Sequence, residues 1–422
     1  MRSYRIVLIC LLAVAGLAAE DVRPKDVREM AKGGANVIPK LQDLLKNPDP
    51  QIRIEAVKAI TEIGTQHSLD PLILATQDND PEVQIRATDG LVNFYLPGYV
   101  QTGIGASIKR VGGSIKAKFT DTNDQVVPPY VTARPEVVAA LGKLAHGGGT
   151  MEVRANAARA VGILRGKDAV PDLIEAIHTK DSAVIYESLN ALQKIRDQSA
   201  APRITFLLRD LDPKVQIAAV ETTGLLQNKE ALPDLVEALN RTRDAKVRRA
   251  ALTAIAMLPE ESSRSLYARY LTDKDDNLRA AAAEGYARLR SAADLPMIEK
   301  AWEDEGKTPA RLGMAFAQVM LGKLDLSEFS PFTYLINTLN SASYRDVAQA
   351  YLIELARDAR VRAALYAPLD SGTKDEKIGL ARVLARSGDK ESVPHLQKLS
   401  SDTDNDVAQE GQRALRTLQA RL

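Results

Sequence analysis

Four histidines are the first candidates for chemistry: His67, His146, His178 and His395. They are widely separated, and no His-x-x-x-His or His-Glu pair occurs. A zinc or iron site needs several ligands converging on one point, so these histidines read as surface or turn residues. His146-Gly147-Gly148-Gly149 imitates the oxyanion loop of some hydrolases. The nucleophile elbow that should accompany it is missing, since Gly112-Gly113-Ser114-Ile115-Lys116 ends in Lys where Gly is required. The three glycines read instead as a left-handed stop for a helix that ends at Ala145. Gly103-Ile104-Gly105 lacks the third glycine of a dinucleotide site. Ser371-Gly372-Thr373-Lys374 matches a nucleophile motif only over a length that chance supplies, and it stands where a helix cap is expected. The residues therefore define no catalytic, cofactor or metal set. The expectation is a protein that is not an enzyme and uses no cofactor.

The elements that would position any site come from a phrase that recurs. Asp49-Pro50-Gln51-Ile52, Asp80-Pro81-Glu82-Val83 and Asp212-Pro213-Lys214-Val215 each lead into an Ala-rich apolar stretch. Weaker copies begin at Asp181, Asp244, Asp275, Asp375 and Asp404. Aligned on the branched or apolar residue, the anchors are Ile52, Val83, Val153, Val184, Val215, Val247, Leu278, Ala310, Val347, Ile378 and Val407. A fixed period of this size marks a stack of small units, each unable to bury its apolar face alone.

Local chemistry says what each unit is. Asp accepts hydrogen bonds from the free N–H groups of a helix start, and Pro is tolerated in that first turn. Ile52, Ala56, Ala59, Ile60 and Ile63 then fall on one helical face. An earlier helix opens each unit at its own Pro, as in Val37-Ile38-Pro39, Ala169-Val170-Pro171 and Ser392-Val393-Pro394. The sequence predicts an all-α, right-handed solenoid of about ten to eleven helix-turn-helix repeats with one irregular insertion.

The phrase Asp-Pro-x-Val, followed by Arg, Ala-rich spacing and a closing Gly, resembles HEAT repeats. The short unit is similar to the bacterial form grouped with phycobilisome-lyase HEAT-like repeats. The resemblance runs from Val37 to Leu422 except for the insertion. It implies a ladder in which the turn Asp of one repeat meets the following Arg of a neighbour. The matching positions are Asp49, Asp80, Asp181, Asp212, Asp244 and Asp275, with Arg53, Arg154, Arg248 and Arg279. The fold hosts many functions. The iron-binding His-Glu pairs of deoxyhypusine hydroxylases, one enzyme class with this fold, are absent here.

Residues 1–18 read as a secretory signal peptide. Arg2 and Arg5 precede the apolar run from Ile6 to Ala15, and Gly16-Leu17-Ala18 offers a cleavage site. The expectation is an exported protein, periplasmic or extracellular. Cleavage would remove Cys10, the only cysteine. It would also take Arg2 and Arg5 from the 56 basic residues, leaving 54 against 55 acidic ones. No global field then favours nucleic acid or an anionic membrane. Residues 19–96 read as an N-terminal cap and repeats 1 and 2, and repeats continue through residues 135–422.

Residues 97–134 interrupt the period, because Val83 and Val153 are 70 positions apart. Ile104, Ile108, Val111, Ile115 and Phe119 recur at helical spacing beside Lys109, Arg110, Lys116 and Lys118. A basic amphipathic stretch suits an acidic partner or a membrane surface. Four glycines weaken any helix there, and Ser114–Thr120 would pair equally well as a hairpin with Gln125-Val126-Val127. A plug against the solenoid is the plain alternative. A smaller surplus is expected at Lys323–Ser330. Tyr186, Tyr286 and Tyr351 fall in second helices, which line the concave side of HEAT arrays, so they are candidate partner contacts. The function expected is an exported, non-catalytic scaffold that binds a protein or peptide on its concave face. Two rival readings are an adaptor docked on a membrane through residues 104–119, and an enzyme or lyase-like maturation factor with an unrecognised site.

Overall fold

Second helices begin where the recurring phrase places them. A computed structural model describes residues 22–100 and 125–422. The side chains of Asp49, Asp80, Asp181, Asp212, Asp244, Asp275 and Asp404 each accept a backbone N–H in the first turn of the helix that follows. The Gln51 N–H, for example, donates to Asp49 Oδ1 at 2.8 Å. Thr150 and Thr373 serve as caps in two other repeats. At the second of these the helix starts at Lys374, which puts Asp375 inside the first turn and moves that repeat's anchor from Ile378 to Glu376.

The described residues are helical and turn, without strands. They form eleven two-helix units. The second helices are Pro50–Ile63, Pro81–Tyr95, Met151–Ile163, Ser182–Ile195, Pro213–Leu225, Ala245–Ala256, Asp276–Leu289, Thr308–Met320, Arg345–Leu355, Lys374–Ser387 and Asn405–Gln419. We number the repeats 1 to 11 by these helices. Most first helices are shorter, though that of repeat 3, Pro135–Gly147, equals its second helix in length, and that of repeat 5 is a 3-10 helix, Gln198–Arg209. Helices resume after the interruption at Pro135, and residues 321–330 form the loop between repeats 8 and 9. The architecture is an α-solenoid.

Ile52, Ala56, Ala59 and Ile60 are buried in repeat 1, and equivalent residues continue one core from end to end. Burying an Ile of this kind is worth roughly 1.5–3 kcal/mol, and here a neighbouring repeat supplies most of the cover. Small residues let the second helices approach closely. A Cβ on Gly224 would lie 2.9 Å from Ala254 Cα, and one on Gly313 would lie 2.7 Å from Ala280 Cα. Second helices pack against each other more extensively than first helices do. The stack therefore curves with its second helices inside and its first helices on the outer surface.

Arginine ladders tie the repeats together, though not as the resemblance implied. Arg53 Nε and Nη2 donate to Asp78 at 2.7 and 2.9 Å, while Nη1 donates to the Asn47 carbonyl. Arg279 makes the same pair with Glu305, at 2.6 and 3.0 Å. Arg248 approaches Asp273 at 4.0 Å. Each acid stands two residues before the next capping position. The caps Asp49, Asp80 and Asp275 already accept N–H groups of their own helices. The preceding acid accepts the N–H of the cap residue, as Asp78 does from Asp80 at 2.8 Å, and turns its free oxygen back to the previous repeat. Arg154 has Thr179 at that place and donates instead to the Gly148 carbonyl. Arg249, one place on from Arg248, does reach a capping carboxylate, Asp275 Oδ2, at 2.8 Å.

Candidate functional site: the concave lumen

The last turn of each second helix opens onto the inside of the curve. In repeat 1 the chain leaves that turn through Gly64 with φ +58°, the left-handed conformation for which glycine is suited. Repeats 3, 4 and 7 place Arg165 (φ 52°), Arg196 (φ 63°) and Arg290 (φ 56°) at the same point, and repeat 5 places Gln227 (φ 58°). A side chain in this conformation costs about 1–2 kcal/mol. These guanidinium groups are thus held at a repeated position that the backbone would fill more cheaply with glycine.

Curvature brings distant repeats face to face. Arg196 lies within electrostatic reach of Arg357, Arg165 and Arg386, and Arg165 within reach of Arg386. Arg357 follows the second helix of repeat 9, and Arg386 is in the last turn of that of repeat 10. The four side chains are open to solvent at their surfaces, yet the walls of the lumen surround them. Burial and then Arg386 lower the pKa of Arg165; burial and then Arg357, Arg165 and Arg386 lower that of Arg196. Among the described residues, none of the four guanidinium groups has an ion-pair or hydrogen-bond partner. Glu221, on the second helix of repeat 5, is also solvent-open but recessed, and burial raises its carboxyl pKa.

The flanks of the interruption close on this lumen. The Val127 N–H donates to the Ile163 carbonyl at 2.9 Å, two residues before Arg165. The Tyr99 phenol sits beside Arg159 and Glu187, and burial pushes it up to about 12. Arg159 and Glu187 form a buried pair between repeats 3 and 4, with Nη2 to Oε1 at 2.9 Å. Lys109, Arg110, Lys116 and Lys118, and most of the amphipathic stretch, lie outside the described residues. So does the segment from 1 to 21.

The tyrosines fall differently from expectation. Tyr286 is 3% exposed and meets Tyr267 edge to face, between the two helix layers, so it is a core residue and not a partner contact. Tyr351 stacks on Phe316 at 4.7 Å, and its hydroxyl donates to Glu284 Oε1 at 2.6 Å. Burial and then Glu284 raise its pKa. It joins repeats 7, 8 and 9, so its polar end is occupied. Tyr186 is half-buried against the core and has a partner of its own. The arginine column carried a sequence signal, because Arg165, Arg196 and Arg290 align with Gly64. Their convergence with Arg357 and Arg386 depends on curvature, which no local pattern records.

Other clusters are dispersed or occupied. His146 Nδ1 meets Asp172 at 3.0 Å, His178 stacks on Phe206, and His395 stacks on Tyr366. Trp302 is sandwiched in part by Arg311, 3.8 Å from its ring centre, and by Tyr334. Among the described residues no group of His, Cys, Asp and Glu is arranged to hold a metal ion, and no helix is long and apolar enough to cross a membrane. The open clefts lie between first helices, one of them lined by Leu232, Val236, Leu266 and Arg269.

A stack of this construction, with its inner row of capped helices, defines an α-solenoid repeat protein. The family model for HEAT repeats matches residues 12–101, 138–210, 201–287 and 235–317, and the chain belongs to the HEAT-repeat family. No curated protein matches the sequence. An engineered protein is similar in structure at 21% identity, covering 90% of this chain and 98% of that one, with a TM-score of 0.39. The complex of CpcE and CpcF of phycocyanin lyase from Nostoc sp. PCC7120 is similar at 19% identity over 60% of this chain and 94% of that one, with a TM-score of 0.35. Importin beta is similar at 14% identity over 91% of this chain and 57% of that one, with a TM-score of 0.39.

Proposed function

We propose that the protein is an exported, non-catalytic scaffold that binds a protein or peptide partner along its concave face. The supporting observation is the convergence in the lumen of Arg165, Arg196, Arg357 and Arg386 without partners among the described residues. Unpaired groups fixed on a rigid frame are ready to bind, since the frame loses little freedom when they do. The basic, apolar and small-residue order of residues 1–18 supports export.

Photo-crosslinking in cells tests the reading. A crosslinking amino acid replaces Glu221 or Gln227 on the lumen side, with Phe206 on the outer surface as the comparison. Reproducible adducts from the two lumen positions, and not from Phe206, are expected. No adduct from either lumen position would overturn the scaffold reading. Intact mass of the mature chain tests export: a product that retains residues 1–18 in the cytoplasm would remove that part.

A further inference from the structure

Resting on that reading, we infer that the lumen is a carboxylate clamp: Arg165 and Arg196 on one wall, and Arg357 and Arg386 on the other, grip an acidic peptide segment of the partner. The wall residues come from repeats 3 and 4 and from repeats 9 and 10, so the clamp exists only because the stack curves. Many other arginines are neutralised by acids of this chain, as with Arg53 and Asp78, Arg159 and Glu187, or Arg279 and Glu305. Here like charges face one another across the opening. Such an arrangement is unfavourable until an anion enters, and guanidinium is the side chain whose planar donors match a carboxylate.

Repeat 7 offers a comparison within the chain. Arg290 occupies in repeat 7 the position that Arg165 and Arg196 occupy in repeats 3 and 4, with the same left-handed backbone. Asp358, which follows Arg357, is held below its ordinary pKa first by the hydrogen bonds of Arg360 and least by the charge of Arg290. The nearest anion that this column feels among the described residues is thus a carboxylate, and Arg165 and Arg196 have none of their own there. A single-stranded nucleic acid fits less well. Those ligands are bound by a basic groove together with exposed aromatic platforms for the bases. Among the aromatic side chains of this region, Tyr286, Tyr351 and Phe316 are committed to packing. An acidic peptide needs only the guanidinium groups.

The test uses the full mature chain and a fluorescein-labelled twelve-residue peptide of alternating Glu and Ser, read by anisotropy. The Gln and Ser analogue and a twelve-nucleotide oligothymidine are the comparison probes. Binding of the Glu peptide, weakened at least tenfold in Arg165→Gln/Arg196→Gln and separately in Arg357→Gln/Arg386→Gln, is expected. Arg243→Gln, in an outer turn, is expected to leave it unchanged. Two double variants from opposite walls guard against the misfolding of one, and melting temperatures check each. Equal binding of the Glu and Gln peptides, oligothymidine binding at least as tight, or full affinity in both double variants would overturn the clamp. If lumen crosslinks still recover a partner in that case, the clamp fails alone. If they recover none, the scaffold reading fails with it.

Discussion

Arg288 of repeat 7 holds Glu354 of repeat 9 through two hydrogen bonds, Nε to Oε1 at 2.9 Å and Nη2 to Oε2 at 2.8 Å, with repeat 8 lying between them in the chain. The same guanidinium bonds Glu284 at 2.9 Å and lies over the ring of Phe316. Burial lowers the pKa of Arg288, but Glu354 and Glu284 together raise it overall. A solenoid is ordinarily tied only between neighbours, so this pair adds a constraint on the curvature of its C-terminal half. Replacing Glu354 with Gln leaves one charge-assisted bond to be made by a neutral amide. The expected loss is on the order of 2 kcal/mol, seen as a lower melting temperature. Faster amide exchange should be confined to repeats 7 to 9. Exchange that rises equally in repeats 1 to 4 would contradict a local brace.

The close approach of second helices gives a prediction whose sign is set by packing. Gly224 lies mid-helix, where Ala would ordinarily gain about 1 kcal/mol. Its added Cβ would sit 2.9 Å from Ala254 Cα and 3.0 Å from Ala254 Cβ, neither of which can rotate away. Overpacking of that kind costs about 1–3 kcal/mol, so Gly224→Ala should destabilise by about 1 kcal/mol on balance. Chemical unfolding followed by circular dichroism measures it. A more stable variant would show that the two helices separate easily.

The ladder correction is testable at Asp78. Its carboxylate accepts two bonds from Arg53 and the N–H of Asp80, whereas Asp49 caps through the single Gln51 N–H. Both partners of the Arg53 pair are well covered, at 15% and 11% side-chain exposure. Asp78→Ala should therefore cost more than Asp49→Ala, for which a cap loss of about 1 kcal/mol is expected. Paired thermal melts decide the order.

Acid should loosen the stack. Burial pushes the Glu305 carboxyl up, but the Arg279 bonds and backbone N–H groups hold it below its ordinary value. Asp275 and Asp389 behave alike through Arg249 and Arg362. For Asp402, the Asp404 N–H and then Lys377 hold it down. A carboxyl with a depressed folded pKa contributes stability that is present above its unfolded pKa, about 4, and is lost as pH falls through the folded value. Glu221 works in the opposite sense, since its raised pKa favours the folded state as it takes up a proton. The depressed group is larger, so melting temperature should fall steadily below about pH 4. A Glu221→Gln variant should lose the small opposing contribution. A melting temperature that rises on acidification would mean that the raised carboxyl outweighs the depressed ones.

Much of the frame was legible because its chemistry is local and repeated. Asp-Pro with an apolar residue two places on writes a cap, and Ala-rich spacing writes a close helix face. Eleven anchors located eleven second helices, but the repeat headed by Thr373 shifted register, and in repeat 9 Val347 is exposed while Ala348 is buried in its place. The site was legible only in part. The helices of Tyr286 and Tyr351 run on to Arg290 and Arg357, but a small rotation about the helix axis decides whether a ring faces the surface or the core. Sequence spacing does not fix that rotation when alanines surround the ring. The partners of the ladder were displaced by two residues because the acid before the cap faces the preceding Arg while the cap faces its own helix start, with Asp275, which also takes Arg249, as the exception. Arg165 could be aligned with Gly64, yet nothing within seven repeats of it announces Arg386.

The left-handed arginines set stability against binding, and one substitution separates the two. Arg196→Gly removes a conformational cost of about 1–2 kcal/mol and returns roughly 0.5–1 kcal/mol through the greater freedom of glycine in the unfolded chain. The folded state should gain on the order of 0.5–1 kcal/mol, with relief of repulsion from Arg357, Arg165 and Arg386 adding to it. Arg196→Gln keeps the backbone cost, as Gln227 does at the equivalent place in repeat 5, and removes only the charge. Thermal melting of both variants beside the parent therefore resolves backbone from charge: Gly should melt highest, Gln between Gly and the parent. Both should bind the acidic peptide less tightly. If Arg196→Gly melts lower than the parent, the side chain has a stabilising contact in the lumen, and its left-handed position would need no functional explanation.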